Sequence, residues 1–264
     1  MRLEAAVHLV SSPITARQNV ITSVNRAGIL VLDTVLEHWA TAEAVLTEDE
    51  KEFGTVLVDI GGETTNLAIY IKGSVQHTAV LPIGGSHFTS DIAVGLRTPI
   101  PEAERIKRAF GCAISTLMDD SERATAVEVP SVGGRPPRLL SRQVLCEILQ
   151  PRAEEIFSHV YDEIERNGFD RQLSSGVVVV GGGALMDGTI EIAEHVLDFP
   201  ARCGGPRGIG GLSGEIASPT FATAAGLLLY GYRKQNGMGG IYADSEVEDG
   251  RMGRLRGMVR NIFR

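Results

Sequence analysis

Short apolar runs, glycine turns and stretches of helical spacing alternate along most of the chain. Residues 55–71 hold two apolar runs on either side of a tight turn, VLVDI-GGETT-NLAIY, and read as a β-hairpin. A third strand is expected from Val75 to Pro82 after a turn at Gly73. Four consecutive valines at 177–180 predict a strand buried on both faces. Before the hairpin, residues 3–10 and 29–35 read as strands. Helical spacing covers Ile14–Ala27 and the stretch through Trp39 to Leu46, and TEDEKEFG reads as an acidic loop. Further on, helices are expected over 86–95, from Pro101 with proline in the first turn, and from a Ser141 cap to about Gly168 with a bend at Pro151. Two more are expected over 189–197 and 220–232. Thr125–Val129 reads as β, and SVGGRPPR (131–138) as a cationic loop. Strands alternating with helices predict an α/β fold, and the hairpin within that pattern excludes a simple doubly wound sheet.

Composition narrows the function classes. The 264 residues carry a net charge of −8, which argues against a nucleic-acid partner. Cys112, Cys146 and Cys203 lie far apart with no metal-binding spacing, so a reduced cytosolic protein with buried thiols is expected. The six histidines form no spaced pair, and no apolar run or leader pattern suggests a membrane span or a secretory signal. The end is different. An acidic stretch at 235–250 precedes RMGRLRGMVRNIFR, where Met252, Leu255, Met258, Val259, Ile262 and Phe263 share one side of a helix and the arginines, among them Arg256 and Arg260, the other. That pattern predicts a helix lying on an anionic lipid surface.

Two glycine turns carry the candidate chemistry. In DIGGETT, backbone N–H groups at Gly61 and Gly62 and the hydroxyls of Thr64 and Thr65 suit a phosphate chain, and Asp59 at the strand end could hold Mg2+ through water. In VVVVGGGALMDG, the turn follows a buried strand and opens a helix, a place suited to a polar or anionic ligand. A hairpin turn and a helix-packing turn remain the plain alternatives for each alone.

Together with PIGGSHFTSDIA (82–93), AERIKRAFG (103–111), SVGGRPPR and the basic end, these motifs resemble the second half of an actin-like ATPase and, within that superfamily, the FtsA family of bacterial cell-division proteins. The resemblance covers nearly the whole chain and is weakest at 235–250. It implies an actin-like (ribonuclease H-like) α/β fold whose second half is largely complete and whose first domain is truncated. Asp59, Gly61, Gly62, Thr64 and Thr65 match the family's second phosphate motif. Gly181, Gly182, Gly183 and Ala184 match the adenosine motif, and Glu104, Lys107 and Arg108 the helix beside ribose and base. Glu63 departs from the usual third glycine.

The resemblance further implies a division of the chain. Residues 1–46 and 219–234 are expected to belong to the first domain, and 47–81 and 151–218 to the second. An inserted smaller subdomain (82–150), a linker (235–250) and a membrane-targeting helix (251–264) complete the scheme. The implied role is an adaptor on the cytoplasmic side of the cell membrane at the division septum, with the FtsZ C-terminal tail, other FtsA copies and an anionic lipid surface as partners. Arg97, Arg105, Arg135 and Arg138 make the subdomain locally basic and are candidates for the FtsZ contact. The earlier phosphate hairpin of such proteins has no counterpart here, which implies a truncated product, an internal start or a fragment. Residues 1–46 are then expected to lack the sheet they pair with. ATP and Mg2+ binding should therefore be weak and turnover not appreciable. The alternatives are a sugar-kinase or heat-shock-type ATPase, or a shape- or pilus-related actin homologue.

Overall fold

A computed structural model of the chain describes residues 2, 7–210 and 213–236. Three helices come first: α1 (Ile14–Arg26), α2 (Glu37–Val45) and α3 (Glu48–Phe53). The hairpin follows as β1 (Thr55–Ile60) and β2 (Thr65–Ile71), then β3 (Ser74–Leu81). Next are α4 (Gly85–Leu96), α5 (Ile100–Phe110), α6 (Asp120–Ala124), β4 (Ala126–Val129), β5 (Arg138–Ser141) and α7 (Arg142–Arg166). The remainder is β6 (Val177–Val180), α8 (Thr189–Leu197), β7 (Ala201–Cys203), α9 (Ser213–Ile216) and α10 (Ala222–Gln235).

The main sheet runs β3-β2-β1-β6-β7. β1 and β2 pair antiparallel, as do β2 and β3, while β6 is parallel to β1 and β7 parallel to β6. Side-chain alternation divides its residues between two cores. Val56, Val58, Ile60, Leu67, Ile69, Val177 and Val179 face one side, where Ile92, Ile106, Phe157 and Ile192 of α4, α5, α7 and α8 cover them. Leu57, Ala68, Tyr70, Val178 and Val180 face the other, against Ala42, Ala44 and Val45 of α2 and Ala222 and Ala225 of α10. The four valines are thus buried on both faces because helices cover both. Between α4–α5 and α7, β4 and β5 form a separate antiparallel pair.

Several sequence expectations are corrected. Residues 7–10 and 29–35 form no strand. Their apolar side chains are exposed, as Leu9, Ile29, Leu30 and Leu32 show, and no residue of α1 is buried. By contrast, α2 is not orphaned: it packs on the sheet's second face. The acidic stretch 48–53 is helix α3, not a loop, started by a capping box in which Glu50 N–H donates to Thr47 Oγ1 at 3.2 Å and Thr47 N–H donates to Glu50 Oε2 at 2.8 Å. Strands β5 and β7 went unpredicted. α7 continues through Pro151, and Ser141 at its start makes no side-chain cap. Of the three thiols, Cys203 is exposed.

Candidate functional site

The phosphate-type turn is locked by its own backbone and by the turn after β3. Gly61 N–H donates to Thr64 O at 2.9 Å, while Gly85 N–H donates to Gly61 O at 2.8 Å and Ser86 N–H to Gly62 O at 2.7 Å. A Cβ at Gly84 would stand 2.9 Å from the carbonyls of Gly61 and Gly62, so the two turns touch backbone to backbone. Nothing lies within 4 Å of a Cβ at Gly62, which presents an open backbone edge. Thr65 is corrected: it is fully buried and its hydroxyl donates to Ile83 O at 2.8 Å, so it offers no donor to a ligand.

The second turn is pressed against the first strand. Gly181 has φ +83°, and a Cβ there would lie 2.3 Å from Asp59 Oδ1 and 2.5 Å from Ile60 O. A Cβ at Gly183 would meet Ile60 Cγ2 at 2.3 Å, whereas Gly182 is open. Ala184 is buried in the core beneath the turn.

Asp59 is buried beside the Gly181 turn. It is 8% exposed, and Thr223 Oγ1 of α10 donates to its Oδ2 at 3.4 Å. Burial, reinforced by the nearby Glu37 carboxylate and only partly offset by Thr223, pushes its pKa up to about 6. A cation would relieve that burial cost. Yet among the described residues no cluster of His, Cys, Asp or Glu could hold a metal by itself, so Mg2+ would have to rest on this carboxylate, water and a ligand's phosphates. Glu37, Thr41 and Thr223, which surround Asp59, were not legible in the sequence because the topology brings α2 and α10 together from opposite ends of the chain. Thr41 and Thr223 hydroxyls lie 2.8 Å apart.

On α5, the three predicted residues form one network. Glu104 Oε2 accepts from Thr89 Oγ1 at 2.5 Å and from Lys107 Nζ at 2.7 Å, and Glu104 Oε1 accepts from Arg108 Nε at 2.7 Å. Lys107 Nζ also donates to Gly85 O at 2.8 Å, tying α5 to the turn between β3 and α4. Burial alone would raise the Glu104 carboxyl, but hydrogen bonds from Lys107, Thr89 and Arg108 hold it at about 2.

These parts enclose a cavity of about 1090 Å³. Gly61, Gly62, Glu63, Glu104, Lys107, Arg108, Gly182 and Gly183 line it, joined by His87, Phe88, Leu185, Met186, Asp187 and Thr220, which the sequence reading had not singled out. Asp59, Thr64, Thr65, Gly181 and Ala184 are not on its wall. His87 was passed over as an isolated histidine; its Nδ1 accepts from Gly84 N–H at 3.1 Å at the start of α4.

Among the partner candidates, the backbone brings Arg97 and Arg138 together. Arg138 Nη2 donates to Leu96 O, and Val132 N–H, in the loop that carries Arg135, donates to Arg97 O at 3.2 Å. Arg105 is paired with Glu102 at 2.8 Å. The membrane candidates Met252, Leu255, Arg256, Val259, Arg260, Ile262 and Phe263 lie outside the described residues, within which no helix is long and apolar enough to cross a membrane.

Comparison with known proteins gives this geometry a context. A family model described as Cell division protein FtsA matches residues 56–226. Cell division protein FtsA of Pseudomonas aeruginosa is 44% identical over 269 residues, covering 100% of this chain and 64% of the relative. That of Neisseria meningitidis serogroup B is 38% identical, with the same coverage. That of Escherichia coli K12 is 39% identical and covers 94% of this chain and 59% of the relative. The chain therefore spans 64% or less of the length of these relatives. Among solved structures, MreB5 of Spiroplasma citri bound to ADP superposes with a TM-score of 0.70 at 19% identity, covering 87% of this chain and 69% of that one. The PilM–PilN type IV pilus biogenesis complex gives 0.62 at 19% identity, covering 82% and 57%. At these identities the likeness shows the fold, which is actin-like.

Proposed function

Because the chain belongs to the FtsA family of cell division proteins, we propose that it acts as a division adaptor, coupling FtsZ polymers to the inner face of the cell membrane at the septum. The observation that carries this reading is sequence identity of 44% extending over the whole chain, arginine-rich end included. In this reading the main sheet (47–81 and 151–218) is the second actin-like domain and 82–150 its inserted subdomain. Residues 1–46 and 219–234 come from the first domain, with α2 and α10 as the joint.

The cavity is assigned to an adenine nucleotide, in keeping with the ADP named for the Spiroplasma neighbour. Open backbone at Gly62 and Gly182 leaves room for close approach of a ligand, and the α5 network offers polar groups beside it. Glu63 opposes this, since it sets a carboxylate on the wall where phosphate charge would lie. With one glycine hairpin in the chain, fewer charge-assisted hydrogen bonds hold the phosphates, and each is worth about 1.5–3 kcal/mol. Binding by the 264-residue chain should therefore be weak, Mg2+ included, and turnover not appreciable. The nucleotide serves as a conformational ligand.

The FtsZ tail is assigned to the 82–150 subdomain, through the cationic corner of Arg97, Arg135 and Arg138. Arg105, already paired with Glu102, contributes less. Other FtsA copies and an anionic lipid surface are the remaining partners, the latter through 251–264. Nucleic acid is not among them, given the net charge of −8. Titrating a labelled FtsZ C-terminal peptide into the chain at rising salt tests the partner assignment. Affinity should fall with salt and fall again when Arg97, Arg135 and Arg138 are replaced by alanine. Unchanged affinity in both arms contradicts it.

A further inference from the structure

An anion in the cavity needs hydrogen-bond donors, and several of those on the wall are already engaged. At the start of α4, Gly85 N–H donates to Gly61 O at 2.8 Å, Ser86 N–H to Gly62 O at 2.7 Å and His87 N–H to Gly84 O at 3.0 Å. The first turn of this helix therefore has those backbone donors committed within the protein. Lys107 is engaged as well: the three N–H groups of its Nζ meet Gly85 O at 2.8 Å, Thr89 Oγ1 at 2.9 Å and Glu104 Oε2 at 2.7 Å. Glu63, on the same wall, adds a negative charge.

The His87 ring is different. It lines the cavity from the first turn of α4, beside the residues that touch the phosphate-type turn. Its Nδ1 lies 3.1 Å from Gly84 N, and a backbone N–H can only donate, so Nδ1 is the accepting nitrogen. In the neutral imidazole the proton then sits on Nε2. Among the described residues Nε2 has no hydrogen-bond partner, and it is not sealed in the core. One bond thus does two things. It holds the start of α4, and it leaves the other ring nitrogen as a donor on the cavity side.

We propose that His87 contacts the ligand, its Nε2–H donating to a phosphate oxygen of the nucleotide. The contact presupposes the adenine nucleotide assigned to the cavity above, and it supplies a donor where Lys107 is saturated and Glu63 is repulsive. Two substitutions separate the two roles of the ring. His87→Asn keeps a carbonyl near the Nδ1 position for Gly84 N–H but has no counterpart to Nε2–H. His87→Gln carries an amide N–H out to the Nε2 position but leaves Gly84 N–H without its acceptor.

The 264-residue chain and both variants are titrated with ADP and with adenosine, followed by backbone amide chemical shifts, with thermal unfolding in parallel. His87→Asn should unfold with the parent, bind ADP about tenfold more weakly and bind adenosine as the parent does, because adenosine has no phosphate. His87→Gln should recover most of the ADP affinity while unfolding at a lower temperature, its cap lost. Long-range proton–nitrogen correlation of the ring should place the proton of the parent on Nε2. Three results would overturn the contact: a ring protonated on Nδ1, equal ADP affinity in the parent and His87→Asn, or a loss in His87→Asn as large for adenosine as for ADP. If the parent responds to neither ADP nor adenosine, the nucleotide assignment itself fails and the contact falls with it.

Discussion

Burial, with the Glu37 carboxylate nearby, raises Asp59 from the ordinary carboxyl value of 3.8 to about 6, and this sets a pH signature for a single side chain. Between those values the folded chain binds more protons than the unfolded one, so stability is greatest below the unfolded value. It declines as pH rises through about 6 and is flat above. Asp59→Asn removes the charge that burial penalises. Denaturant unfolding should show that variant more stable than the parent by on the order of 2 kcal/mol at about pH 7.5, with the gap closing below about pH 4. An equal gap at both pH values would show that Asp59 carries no burial penalty. The glycine turn at 181–183 gives a second residue-scale contrast. Gly181→Ala must adopt φ +83° and push against Asp59 and Ile60, so it should lose at least ~2 kcal/mol. Gly182→Ala meets no neighbour and should fold like the parent while crowding the cavity. The sequence showed that both were turn glycines; it could not show that one faces the core and the other the cavity, because that depends on where β1 lies.

At the scale of elements, legibility followed the length and the covering of each segment. The buried strands β1, β2 and β6 were readable because helices cover both sides of the sheet, which leaves runs of apolar residues. β7 was not, because Ala201–Cys203 offers too few positions for a period, and β5 was not, because Arg138–Ser141 carries only Leu139 and Leu140 between polar ends, against the unbroken apolar run of β6. α3 was readable and was missed. Thr47 and Glu50 stand at capping-box spacing, but its acidic face looks like a loop until Lys51 is found nearly buried against Glu43 at 3.4 Å and Glu48 at 3.0 Å. Removing the cap by Thr47→Ala should cost about 1 kcal/mol, measurable by thermal unfolding. The α5 network makes a functional prediction at this scale. Lys107 ties α5 to Gly85 O, so Lys107→Met should loosen the α4–α5 wall of the cavity. The expected readout is faster amide exchange over 85–90 and 104–108, with little change in the main sheet. Unchanged exchange there would mean that the network does not hold the wall.

For the molecule as a whole, the apolar positions of 7–10 and 29–35 read as strand because the residues are strand-like, yet in this chain they find no sheet to join, and Leu9, Ile29, Leu30 and Leu32 remain exposed. The fold class was legible nonetheless, since the actin-like sheet and its two glycine turns lie within 55–203, a continuous part of the chain. Calorimetric titration with ATP should give affinity weaker than micromolar. Tight binding would mean that one hairpin with the adenosine turn suffices. The central claim is coupling of FtsZ to a membrane, and recruitment to a supported bilayer measures it directly. Fluorescent FtsZ polymers are followed over an anionic bilayer with and without the 264-residue chain. Polymers should gather at the bilayer only when the chain is present, and should be released by Leu255→Glu with Phe263→Glu or by replacing the bilayer with a neutral one. If FtsZ stays in solution while the chain itself coats the anionic bilayer, the adaptor reading is wrong.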